Sequence, residues 1–201
     1  MIALLVAVTV GITQPDVLAG VRSPQLRALA ASELAVAQQK GLPTAPLVAK
    51  TLEGQLKQAP PARIAAVLRT LTGRMLTVKE TIGSASDAEL TAGADALAAG
   101  ISPAALAELR RMLPDRSIAL PLGVLTELVT RGVEPRVATR EVLNLLNRRA
   151  TPQQLIQLGA DVNNDVRRGQ AAHAALDLRV RGLMGTLLPP QAGTTALPAR
   201  P

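Results

Sequence analysis

The sequence predicts an all-α fold, an irregular bundle of short helical hairpins, with a solenoid of stacked hairpins as the alternative. Three observations carry this. The first is a punctuation mark written at Gly41-Leu42-Pro43, Gly100-Ile101-Ser102-Pro103, Gly132-Val133-Glu134-Pro135 and, with Arg in place of Gly, Arg149-Ala150-Thr151-Pro152. Gly just past one helix and Pro in the first turn of the next is the stop-and-start asymmetry of helix termini. The apolar residue between them can pack under the corner. The second is composition: Ala and Leu, strong helix formers, dominate, and runs of β-branched residues are scarce beyond the first ten positions. The third is a set of apolar stripes at helical spacing.

The elements follow in order. Ser23-Pro24 supplies an N-cap and a Pro at N1, then Leu26, Leu29, Ala30 and Leu34 lead to Lys40-Gly41. Thr44-Ala45-Pro46 opens a second helix with Leu47, Val48, Leu52 and Leu56 on one face and a Glu53–Lys57 pair on another. After Ala59-Pro60-Pro61, the residues Ile64, Val67, Leu68, Leu71, Met75 and Val78 form the cleanest stripe, running through Gly73 to about Ile82. Gly83-Ser84-Ala85-Ser86 is a flexible break where the domain can divide, and Ser86 with Glu89 makes a capping box for a helix over 87–99.

Pro103 to Met112 follows, with Leu106, Leu109 and Leu113 in register. Following Pro114-Asp115-Arg116-Ser117, the stripe resumes at Leu120, Val124, Leu125, Leu128 and Val129. Val137, Val142, Leu145 and Leu146 face inward on the next helix, and Leu155, Leu158, Val162 and Val166 on the one after Thr151-Pro152. A last helix over about 170–184 carries Leu176, Val180 and Leu183. Residues 185–201, rich in Pro and Gly, read as a disordered tail. Starts near Pro103, Ile118, Pro135 and Pro152 are 15, 17 and 17 residues apart, a hairpin period that also suits α-solenoids. The helix faces do not repeat with it, which favours the bundle.

With 201 residues the chain is long enough for one domain with a real core. It contains no Phe, Trp or Tyr, so Leu, Val, Ile, Ala and Met build that core. The net charge is +7, and 18 of the 22 basic residues are Arg. Such a balance suits an anionic lipid or polymer. The pairs Arg110-Arg111, Arg148-Arg149 and Arg167-Arg168 fall near expected helix ends, where they offset the macrodipole. Nucleic acid is disfavoured as a partner: there are no rings for base stacking and no clustered basic face.

Met1 to Ile12 is an apolar run of signal-peptide length, and Val17 and Ala19 supply small residues at −3 and −1. Residues 1–19 are therefore expected to be a leader cleaved before Gly20, although no Lys or Arg precedes Arg22. That places residues 20–184 in one exported domain, periplasmic or extracellular.

Catalytic constellations are missing. The absence of Cys removes disulfides, thiolate nucleophiles and sulfur-ligated metals. His173 is the only histidine, and it reads as a surface or partly packed residue. A hydroxyl nucleophile would depend on it or on one of Lys40, Lys50, Lys57 and Lys79, with no Gly-x-Ser-x-Gly or Ser-x-x-Lys motif present. Asp161 and Asp165 lie i,i+4 and are the best candidate carboxylate pair, beside Asn163 and Asn164. With Arg168 three residues beyond Asp165, the simpler reading is a solvated polar face. No catalytic, cofactor-binding or metal-binding residue is assigned.

The pattern Lys40-Gly41-Leu42-Pro43, Pro46-Leu47, Lys50, Glu53-Gly54, Lys57, Pro60-Pro61 and Arg63-Ile64 resembles a segment of exported bacterial α-helical proteins to which no activity is attached. It covers about residues 37–72. The resemblance implies a bacterial source and a helical hairpin, and it transfers no functional residue. The sequence thus reads as an envelope interaction or scaffold module with an unidentified protein partner. The alternative is a cationic protein that binds anionic lipid or polymer.

Overall fold

A computed structural model describes residues 17–187, and the apolar run 1–16 and the tail from 188 lie outside the described residues. Among the described residues there are nine helices and no strand: α1 Pro24–Gln39, α2 Ala45–Leu56, α3 Pro61–Ile82, α4 Asp87–Ala98, α5 Pro103–Met112, α6 Ala119–Thr130, α7 Pro135–Asn147, α8 Pro152–Arg167 and α9 Ala172–Met184. The chain is an all-α irregular bundle. Its longest helix, α3, packs against α1, α2, α4 and α5, while α6 packs against α4, α7 and α8. Helix α4 bridges these two hubs, and α9 closes the far end against α8 and α7.

The four punctuation marks are corners of one kind. Gly41, Gly100, Gly132 and Arg149 all adopt positive φ, at 62°, 94°, 97° and 60°. The following residues Leu42, Ile101, Val133 and Ala150 are buried. Each of those donates its N–H to the carbonyl five residues back, for example Val133 to Leu128 at 3.1 Å and Ala150 to Leu145 at 2.9 Å. This is the Schellman bond set, which satisfies carbonyls at a helix end while the apolar residue plugs the corner. Two further corners share it: Gln58 (φ 53°) with Ala59, and Gly169 (φ 94°) with Gln170.

Helix starts are equally local. Ser23 and Ser102 cap α1 and α5, and capping boxes form at Ser86–Glu89 and Thr151–Gln154. The three Arg pairs all stand at helix C-termini, of α5, α7 and α8.

The buried core is continuous from Leu18 to Val180 and wholly aliphatic. Helices approach closely where Gly removes a side chain: a Cβ on Gly93 of α4 would lie 2.7 Å from both Val78 methyls of α3. Two expectations need correction. Leu56, placed on the inward face of α2, is 82% exposed, because α2 ends there and the chain turns away. Val67, placed in the α3 stripe, is 46% exposed and stands on a face that no helix covers fully. Within the expected leader, Leu18 is buried at 4% exposure in a turn closed by Val21 N–H to Leu18 O at 2.8 Å.

Candidate functional site

A concavity lies where α2 and α3 meet beside the C-terminal end of α4. Gly54 sets its shape, since a Cβ there would fall 2.7 Å from Ile64 Cγ1, so the two helices converge at that point. The corner through Gln58 and Ala59 then returns the chain along α3. The result is a trough of about 890 Å³ with Ala59, Ile64, Ala66, Val67, Leu71 and Ala98 as its apolar surface. That volume lies in the range of ligand-sized clefts.

Its rim is charged. Lys50 and Glu53 of α2 and Lys57 at its C-terminal cap share one face, spaced three and four residues apart. Lys50 Nζ and Lys57 Nζ donate to the two carboxylate oxygens of Glu53 at 2.7 and 2.6 Å. These two ammonium groups hold the Glu53 pKa down to about 2. On α3, Arg63, Val67, Thr70 and Arg74 step by four, three and four residues, so they form one stripe along the trough. Among the described residues, neither the Arg63 nor the Arg74 side chain has a hydrogen-bond or ion-pair partner. Asp95 of α4 completes the lining. The rim thus carries four basic groups against two acidic ones, and two of the basic groups are uncommitted.

The carboxylates singled out in the sequence do structural work. Asp165 is buried at 3% exposure, so it is no part of a solvated face. Its main partner is not Arg168 but Arg179 of α9, whose Nε and Nη2 donate to the two carboxylate oxygens at 2.7 and 2.8 Å. Those bonds lower the Asp165 pKa against the opposing effect of burial, with a smaller contribution from the charge of Arg168. Asp161 lies 3.7 Å from the same guanidinium. Periodicity assigns the face of α8 but is silent on the neighbour that covers it.

Glu89, which the sequence marks only as a cap, is the most connected carboxylate. Buried at 5% exposure, it accepts from Ser86 N and Oγ, from Ile118 N at 3.0 Å, and from Arg110 Nη2. Arg110 Nη1 also donates to the carbonyls of Leu113, Pro114 and Arg116. The pair therefore clamps the turn between α5 and α6 onto the start of α4. Burial pushes the Glu89 pKa up, but these donors outweigh it and hold the value at about 2. The Ser86–Glu89 capping box and a basic residue at the end of α5 are the sequence-legible parts of this arrangement, and the reach of Arg110 to Glu89 is not.

His173 is exposed and accepts from Glu134 N–H through Nε2 at 3.3 Å, satisfying a donor at the start of α7. Lys79 Nζ donates to Lys40 O at 2.8 Å, so it is tied to the end of α1. Among the described residues no group of three or more His, Cys, Asp or Glu is arranged to hold a metal, and no helix is long and apolar enough to cross a membrane. Compared with protein-family models, curated proteins and solved structures, the chain matches none.

Proposed function

We propose that this chain is an exported helical interaction module of the bacterial envelope that works by holding a partner rather than by chemistry. One observation carries the reading. The α2–α3–α4 trough couples an apolar surface, including the half-exposed Val67, to two arginines with no internal partner. Arg110, Arg179 and Arg69 are engaged with carboxylates of the fold, whereas the trough sets two uncommitted guanidinium groups beside an apolar surface. The leader-like run 1–19 and the resemblance across residues 37–72 support export and a bacterial source. That resembling segment contributes Lys50, Glu53, Gly54, Lys57, Arg63 and Ile64 to the trough.

A photo-crosslinking side chain placed at Val67, in fractionated cells, tests this. The expected result is a discrete adduct in the envelope fraction that is missing when the same probe replaces exposed Ile156 on α8. Equal adducts at both positions, or a cytosolic chain still beginning at Met1, would overturn it. The net charge of +7 favours a second reading, diffuse electrostatic attachment to anionic lipid or polymer. Diffuse attachment weakens steeply with ionic strength and does not distinguish Val67 from Ile156.

A further inference from the structure

We infer that the occupant of the trough is an amphipathic helix of a partner protein, with acidic residues flanking its apolar stripe. The inference rests on the trough being an interaction site, and it adds the chemistry of what binds there.

The two uncommitted guanidinium groups select this occupant. Arg63 and Arg74 are eleven residues apart on α3, and their angular positions nearly coincide. Their backbone positions are therefore separated by about 16 Å along the helix axis. Val67 and Thr70 lie between them on the same stripe, and Leu71 borders it. Positive charge thus stands at both ends of an apolar strip. A single-chain anionic lipid has one charged end, and satisfies one of these sites while leaving the other beside its tail. A helix of about four turns, apolar at i, i+3, i+4 and i+7, can set carboxylates against both ends and lay its stripe on Val67.

The shape agrees. Lys50, Lys57, Arg63 and Thr70 are exposed along the length of the trough, so it is an open channel. A helix leaves its polar face in water there, whereas an acyl chain would keep one apolar side solvated, which disfavours it. Two walls of the channel are the helices α2 and α3, and a third helix laid between them continues the packing already used throughout the bundle. A second copy of the chain is a poor source of the occupant. At net charge +7, self-association sets like charges against one another.

Two synthetic helices of about 15 residues test the inference, identical in their leucine stripe but flanked by Glu in one and by Lys in the other. Binding to the full chain is read by fluorescence anisotropy. The Glu helix is expected to bind, with affinity falling as salt rises, and the Lys helix to bind at least about tenfold more weakly. Combined Arg63→Glu and Arg74→Glu substitution is expected to invert that preference, whereas Arg131→Glu, outside the trough, leaves it unchanged. Melting followed by circular dichroism reports whether the double variant is folded. Should it not be, Arg63→Ala and Val67→Asp separately must each weaken the Glu helix.

Equal binding of both helices, binding of neither, or binding indifferent to the Arg63 and Arg74 changes overturns the inference. Binding of phosphatidylglycerol vesicles that depends on those arginines, with no binding of the Glu helix, reassigns the trough to lipid and likewise overturns it. If the helix fails while the Val67 adduct persists, the interaction-module reading stands and only its acidic-helix occupant falls. Loss of both removes both.

Discussion

Arg179 grips Asp165 through two parallel bonds of 2.7 and 2.8 Å, fastening α9 to α8 at a carboxylate that is almost wholly buried. A planar guanidinium meeting a carboxylate edge-on is directional as well as charged. The pair consequently sets the register of the last helix, which otherwise packs through small and aliphatic residues such as Ala175, Leu176 and Val180. Removing Arg179 leaves the buried carboxylate without its donors. Arg179→Ala is therefore expected to lower the urea midpoint substantially, and Arg179→Lys, which cannot make both bonds, to lower it less. Arg168→Ala is expected to shift it only slightly. A larger effect from Arg168 would restore the local i,i+3 pair that the sequence suggests.

The Glu89 clamp makes acid stability a test of the turn between α5 and α6. In the folded chain this carboxyl titrates at about 2, against 4.5 for the ordinary group. On acidification the unfolded chain takes up its proton first, so unfolding is favoured as pH falls. The contribution is complete above pH 4.5 and is lost between 4.5 and about 2. Urea titrations across that window should show the steepest loss in the natural chain and a flatter profile in Glu89→Gln. A Glu89→Gln variant that kept the natural profile would remove Glu89 as the group responsible.

Much of this architecture was legible from local signals. All nine described helices start within a few residues of the positions expected from Pro, Ser and Gly, because caps and Schellman corners are made by neighbours in sequence. Pairings across the fold were not legible. Arg110 lies 21 residues beyond Glu89 and Arg179 lies 14 beyond Asp165, and apolar periodicity reports which face is inward but not which helix meets it. Val67 is instructive in the other direction. It satisfies the helical stripe yet remains exposed, and that local mismatch marks the trough. The corner at Gly169 departs from the punctuation pattern by following Gly with polar Gln170, and Gln58-Ala59-Pro60 takes the form without Gly that Arg149 also shows.

Those corners also predict where stability can be gained. Arg149 occupies the left-handed position that Gly41, Gly100 and Gly132 occupy at three equivalent corners, and an L side chain is disfavoured there. Arg149 has no hydrogen bond through its side chain, so little is lost on removing it. Arg149→Gly is expected to stabilise the fold by about 1 kcal/mol, and Gly132→Ala to destabilise it by about the same amount. Thermal melts of the two variants check the pair together. Destabilisation by Arg149→Gly would show that the unfolded-state entropy of the new glycine outweighs the relieved strain.

The beginning of the described chain gives a fourth stability test, joined to export. Leu18 is buried against the core and accepts from Val21 N–H, yet the expected cleavage before Gly20 removes it. Loss of one buried leucine side chain costs about 2 kcal/mol. A chain beginning at Gly20 is therefore expected to melt lower than one beginning at Val17. N-terminal sequencing of the exported protein then tells which of the two the cell keeps. Equal melting of the two chains would mean that Val21 alone closes that end of the core.

Glu53 offers a gain-of-function test of the trough. Its carboxylate engages Lys50 and Lys57 at once and, with a pKa of about 2, it does so throughout the neutral range. Those lysines are therefore partly neutralised in the resting rim, and Arg63 and Arg74 supply the uncommitted charge. Glu53→Gln keeps the side chain's length, removes one negative charge and releases both ammonium groups toward the trough. Affinity for the Glu-flanked helix is expected to rise several-fold, with a steeper dependence on salt because more charge takes part. Between about pH 5 and pH 8 the natural chain should bind with constant affinity, since Glu53 stays ionised across that interval. Unchanged or weakened binding in Glu53→Gln would place the partner's charge away from α2 and confine the electrostatic contact to the α3 stripe.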